Sequence, residues 1–486
     1  MKCFCIWAIT AVISFSAYSQ SDFDRYSREQ KNDFENYKKE RQSDFLSYRK
    51  KRNAEFADYL AKRWEYFDVV AGRKKPLRLE PPAPIVKKVN EPTFPVRLPD
   101  VQIEEIPPVV QPKPVDYPVV LPLPGQPQVE VEFYGMRCTI PSVALQGFEL
   151  LGLKEEQIAR AWKRISSGEC DALVSCCNRY GRQMNLCDWG YVELSGRMAK
   201  TCLSSGNEAV LLQTYLLTQL GYDARLLRRG NTLTMMIPCS GTLYGYASLN
   251  VAGRTYYVLD KTIAGGGKVE TYRKNFSEAD RVIDLSIRRE LNLAERPVPE
   301  KRFVSKRYPD MEICVATNEN LIDFYAAYPH CENRVYAQAA LSGTAKKAIE
   351  SFRPKLAGKD EIEAAGLLLN FVQTAFEYKT DGEQFGYEKP FFVDELFYYP
   401  YSDCEDRAVL YACLVRELLG LEVVLLDYPR HIATAVCFGR PVEGDYVELN
   451  GKRYVVCDPT YINASIGQSM PMYKQERATV IVIAGN

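Results

Sequence analysis

Histidine is almost absent from this chain: 486 residues carry two, His330 and His431. No two cysteines stand in a C-x-x-C pair, so a zinc centre has no ligand set to draw on. An excess of either charge is also missing, with 62 Lys and Arg against 62 Asp and Glu. Binding to nucleic acid is disfavoured on that balance, because no basic surplus marks the globular part. Long apolar runs are absent beyond the first residues, so no segment after them is expected to span a membrane.

The one apolar run lies at the start. Lys2 forms a charged n-region, Cys3 to Phe15 an apolar h-region, and Ala17-Tyr18-Ser19 a small-residue cleavage pattern. This predicts a signal peptide over 1–19, cut before Gln20, and export to the periplasm, cell surface or medium. An uncleaved anchor is the alternative. Cys3 and Cys5 stand too early to become a lipid-bearing terminal cysteine. Of the 15 cysteines, 13 follow the signal, an odd number that leaves at least one thiol over. Cys437 and Cys457, on adjacent expected strands, could pair.

What is present begins with an 11-residue repeat. Phe23, Phe34, Phe45, Phe56 and Phe67 recur at that period, with Tyr26, Tyr37, Tyr48 and Tyr59 three residues behind. Eleven residues make three helical turns, so a charged helix over 20–72 would hold the aromatics on one narrow face. That face suits docking on the body, self-association, or exposure as a solvated stalk. Residues 76 to 127 then hold 15 prolines, which forbid helix and central strand. An extended linker over 73–128 is expected, its Val, Ile and Leu content pointing to parts that lie along a domain surface.

Beyond it the chain repeats itself. Ala209-Val210-Leu211 matches Ala408-Val409-Leu410, and Leu220-Gly221 through Leu227 matches Leu419-Gly420 through Leu426. Gly253 through Asp260 matches Gly451 through Asp458. The three blocks in one order predict an α+β fold of two tandem copies, 129–275 and 335–486, with 276–334 as connector. Cys404 aligns with Ser205 and His431 with Thr232, and only the aspartate persists as Asp260. Cys202 lies three residues off and has no base. The first copy is read as degenerate, with Trp189 and Tyr191 in its core.

The second copy carries a Cys-His-Asp order: Cys404, His431 and Asp458, each 27 residues from the next. A thiol needs a base to become a nucleophile, and the base needs a partner to fix its tautomer. Asp403 or Ser402 can cap a helix from Cys404 to Leu419, which Gly420 ends. Its apolar stripe is Ala408, Ala412, Val415 and Leu419. The cysteine then sits at a helix N-terminus, where backbone N–H groups favour a thiolate. Strands follow at 422–426, 431–438, 446–449 and 454–458. His330 has no such setting and is taken as structural or surface.

These motifs resemble the transglutaminase-like cysteine enzymes: Leu369 to Gln373 with Tyr378, Asp403-Cys404-Glu405-Asp406, the helix ending in Leu419-Gly420, His431 opening a strand, and Asp458-Pro459-Thr460. Similar bacterial domains usually carry Gly before Asp-Cys, where this chain has Ser402. The resemblance implies a papain-like layout, a helix packed on an antiparallel sheet. It implies a Cys404 nucleophile, a His431 base and an Asp458 orienter. It also implies an oxyanion donor upstream of the cysteine, for which Tyr378 and Gln373 both qualify. The implied activity is attack on a peptide or carboxamide carbonyl through a thioester, hydrolysis more than cross-linking, with no cofactor and no metal. A non-catalytic binding or scaffold role for the same fold is the competing reading. The implied partner is a peptide or protein substrate.

Overall fold

The computed structural model describes residues 4–75, 83–88, 95–99, 101–104, 114–122, 124–142, 148–203, 206–263 and 266–483, with side chains from residue 23 onward. The architecture is α+β, built on two six-stranded sheets. A long helix opens it, α1 (Phe4–Leu60), and an edge strand follows, β1 (Glu65–Val69). The proline-rich region contributes a two-residue strand, β2 (Gln102–Ile103). Next come α2 (Gly206–Gln219), β3 (Arg225–Arg229), β4 (Thr232–Ile237), β5 (Ser248–Val251), β6 (Arg254–Val258) and β7 (Gly267–Thr271). The last third holds α3 (Glu361–Ala375), α4 (Cys404–Leu419), β8 (Glu422–Tyr428), β9 (His431–Cys437), β10 (Tyr446–Leu449), β11 (Lys452–Cys457) and β12 (Thr479–Val482).

The first sheet runs β1-β7-β3-β4-β6-β5 and the second β2-β12-β8-β9-β11-β10. Element for element the order is the same, and a helix precedes the central hairpin in both. The hairpins match in register too: Arg229 pairs with Thr232 as Tyr428 pairs with His431, across two-residue turns. The ladders are antiparallel apart from β2, which joins β12 in parallel, whereas β1 joins β7 antiparallel. Asp260 accepts the Thr262 N–H at 2.9 Å, and Asp458 accepts the Thr460 N–H at 2.9 Å, so one Asp-x-Thr turn closes each repeat. The internal duplication is thus carried by topology and turn chemistry as well as by sequence. Ser205 lies outside the described residues.

Strand alternation sorts the cores. Val423 and Leu425 face the helix side of the second sheet, while Val424 and Leu426 face the other. The helix-side core is continuous across both halves, from Leu212 and Leu226 to Leu410 and Ile432. Aromatics from the connector bridge them: Tyr328 meets Trp189 of the first half at 6.2 Å and Phe392 of the second at 5.4 Å.

One expectation needs correction. The helix ends at Leu60 instead of continuing to 72, and Phe67 lies in β1. The segment Glu65-Tyr66-Phe67-Asp68-Val69 is aromatic and β-branched, and the free edge of β7 offers it a ladder. The proline-rich segment is extended, and where described it lies along the body as a strap, as its Val, Ile and Leu content suggests. Lys87 donates to Ile462 O at 2.9 Å, Leu98 to Tyr446 O at 2.9 Å, and Glu104 to Val480 O at 2.8 Å. It then returns to the first half, where the Tyr117 hydroxyl donates to Asp171 Oδ1 at 2.9 Å. Prolines confine such a strand to sheet edges, where their missing N–H costs nothing.

Candidate active site

The Cys404 helix begins where predicted. Asp403 and Asp406 form a reciprocal capping box, the Asp406 carboxylate accepting the Asp403 N–H at 3.2 Å. Gly420 ends the helix at φ +70°, a left-handed C-cap that glycine adopts without strain. The expected stripe understates the packing. From Cys404 to Val415 every residue of α4 is buried, because α3 lies across its outer face, with the Tyr411 hydroxyl donating to Ala365 O at 3.2 Å.

The triad residues converge. His431 Nε2 lies 2.9 Å from Asp458 Oδ2, and Asp458 Oδ1 accepts the N–H groups of Thr460 at 2.9 Å and Tyr461 at 3.1 Å. The amide of Ile432, the residue after His431, donates to Cys404 Sγ at 3.2 Å. With Nε2 on the aspartate, Nδ1 is the ring nitrogen left for a thiol proton. The imidazole is held flat by Tyr473, 5.0 Å away at 16°, which stacks in turn on Tyr428 at 4.9 Å. All three residues are closed from solvent: Cys404 is 1 % exposed, His431 2 % and Asp458 2 %.

The two oxyanion candidates part company. Gln373 Nε2 donates to the carbonyls of Asp458, Tyr461 and Ala464, at 3.0, 2.9 and 3.1 Å. Its amide is spent on pinning the aspartate's loop. Tyr378 pairs with Ser402 in a short parallel bridge, two residues from Cys404, with the Arg407 guanidinium 5.4 Å from its ring centre. That leaves Tyr378 as the candidate of the two.

Several residues at the site escaped the sequence reading. Arg407, fully buried, donates to Ser402 Oγ at 3.2 Å, Gln373 O at 3.2 Å and Phe376 O at 2.9 Å, tying the cysteine's turn to α3. Burial draws its guanidinium down to about 10. Beneath the thiol, oxygens of Asp381, Glu388 and Glu405 lie within 4.8 Å of one another, all buried. Among the described residues no other set of three such side chains brings its ligand atoms this close together. Cys404 Sγ donates to Glu405 Oε2 at 3.3 Å. Burial, then the Glu405 charge, pushes Asp381 up to about 8, and Asp406 is raised by burial and the same neighbours. The nearby Lys389 ammonium is committed to Glu395 at 2.5 Å. The grouping draws on two segments, 381–388 and 405, so a linear scan for an acidic loop misses it. The density of acids between Tyr378 and Cys404 was the available signal.

Burial holds several of the other thiols protonated. Cys413 and Cys457 are pushed by burial to about 12, and Cys138 and Cys202 to about 11. None of the 13 cysteines from Cys138 onward stands in a disulfide. Cys437 does not pair with Cys457. The register Thr434 to Cys457 separates them by three residues, which puts them on opposite faces of the sheet. Trp189 is core, as expected, and His330 stacks on Tyr387 at 5.4 Å, drawn down to about 4 by burial and by Lys389, Lys75 and Lys261. No family model, no curated protein and no solved structure matches this chain.

Proposed function

We propose that the chain is an exported transglutaminase-like cysteine enzyme acting on peptide or carboxamide bonds through a thioester, with the second copy as the active one. One observation carries the reading: a buried His431–Asp458 pair at 2.9 Å stands beside a helix-N-terminal cysteine whose sulfur accepts the amide N–H of Ile432, the residue after His431, at 3.2 Å. His431 takes the thiol proton through Nδ1, and Cys404 Sγ attacks the carbonyl. The developing oxyanion faces the Cys404 end of α4 and Tyr378. His431 returns the proton to the leaving amine, and water releases the acyl group. Gln373 and the Asp458 turn hold the orienter in place.

The burial of the triad favours a second reading, a binding or scaffold protein that retains the site without turnover. Cys404 at 1 % exposure cannot meet a substrate until the cleft opens. A peptide-library digest read by mass spectrometry separates the two. The catalytic reading expects cleavage or deamidation products that vanish in Cys404→Ala. Products that persist unchanged in that variant, or none from the wild type, contradict it.

A further inference from the structure

From Phe23 to Arg41 every residue of α1 is exposed. The body is engaged by Phe45, edge-on to Tyr117 at 5.5 Å, and by Arg49, which donates to Gln219 O at 2.9 Å. The projecting part is about 30 Å long. A helix of that length without tertiary packing is marginal in water. Its aromatic stripe is open along with it: Phe23, Tyr26, Phe34, Tyr37 and Tyr48 are each 45 to 68 % exposed.

The charges beside the stripe say what fits it. At about 100° per residue, Asp33, Glu40 and Asp44 fall on one flank, and Lys31 and Lys38 on the other. Lys38 is kept at the edge of the stripe by Glu35 at 3.5 Å and by the Phe34 ring at 4.4 Å. When two such helices run parallel and in register, opposite flanks meet. Asp33 of one copy then reaches Lys38 of the other, five residues on. An antiparallel pair sets acid flank on acid flank. The 11-residue period keeps the aromatics of both helices in contact along a nearly straight pair.

The body leaves room for this arrangement. Arg49 and Leu60 hold the same repeat position as Lys38, and both are buried. The body therefore stands on the lysine flank, beside the stripe and not across it, and Tyr48 stays exposed next to it. A two-fold axis along the pair places the two bodies on opposite sides. Gln30 and Arg41 lie between the rings, where polar residues fix register and cost stability.

We propose that a second copy of this chain covers the stripe: residues 23–48 of two copies pair in parallel and in register, with the bodies on opposite sides. The pairing does not depend on the catalytic reading. With polar residues in a thin seam, dissociation is expected at about 10–100 μM. The chain is then monomeric at the micromolar concentrations of an unfolding titration.

Sedimentation equilibrium of the exported chain, from about 1 to about 300 μM, tests this. A monomer–dimer equilibrium is expected, weakened about tenfold or more in the double variant Phe34→Ala, Tyr37→Ala. Asp33→Lys and Lys38→Glu should each weaken it about fivefold or more at low salt. An equimolar mixture of those two variants should restore it, because each mixed pair regains both opposite-charge contacts. A monomer at about 300 μM, a dimer indifferent to the aromatic variant, or a mixture no tighter than its components overturns the proposal. All four substituted residues are exposed, so circular dichroism should show the fold unchanged in each variant.

Discussion

Asp381 makes the acidic floor of the site visible to a stability measurement. Its carboxyl is raised to about 8, from an ordinary value near 3.8, by burial and by Glu405. A group raised in the folded state contributes stability that is full below its unfolded value and lost as pH climbs through its folded one. The melting temperature should therefore fall between about pH 4 and about pH 8. Asp381→Asn, which needs no proton, should flatten that slope, and an unchanged slope would contradict a carboxyl raised by burial and Glu405. Gln373 gives a second residue-scale test. Gln373→Leu removes three hydrogen bonds to the Asp458 loop. It should slow any turnover with little change in KM, because the residue positions the orienter and touches no substrate. Arg407, Gln373 and the acids show where reading residue by residue falls short. Each acts through a partner distant in sequence, Arg407 with Phe376 O and Glu405 with Asp381, and no local pattern marks such pairs.

At the scale of elements, α1 divides into two parts. Phe56 is 6 % exposed and packs edge-on against Trp162 at 5.1 Å, Tyr272 at 5.7 Å and Phe276 at 6.0 Å. Phe34, on the same repeat position, is 56 % exposed. Phe56→Ala should cost about 3–5 kcal/mol in denaturant unfolding, whereas Phe34→Ala should stay within about 0.5 kcal/mol. Equal effects would mean that the outer stripe is also covered. The 11-residue period told which residues share a face but not how far the body reaches along it. The boundaries of α4 and β10 were legible because a capping acid, a glycine and a clean alternation mark them. The C-terminal end of α1 was not, since edge pairing with β7 decides it, and the strap's apolar residues told that it lies on the body but not that it takes the edges of β12 and β10.

The whole molecule has one helix-side core through both halves. Calorimetric unfolding should accordingly show one cooperative transition, and residues 335–483 alone should fail to fold. Two resolved transitions would contradict this. The tandem repeat in the sequence announced two copies. It could not announce that aromatics of the connector, Tyr325 stacked on Phe392 of the second copy at 4.2 Å and Tyr328 against Trp189 of the first, join the copies into a single body.

The central claim is that Cys404 is an activated thiol. Iodoacetamide labelling across pH, with each cysteine quantified by mass spectrometry, tests it most directly, and exposed Cys314 serves as the internal reference. The account predicts that the rate at Cys404 relative to Cys314 rises as pH falls from about 8 to about 6, because an ion pair with His431 keeps the thiolate populated where an ordinary thiol is protonated. His431→Ala should abolish that rise. A Cys404 that labels only at high pH, in step with the other thiols and indifferent to His431, would contradict the account.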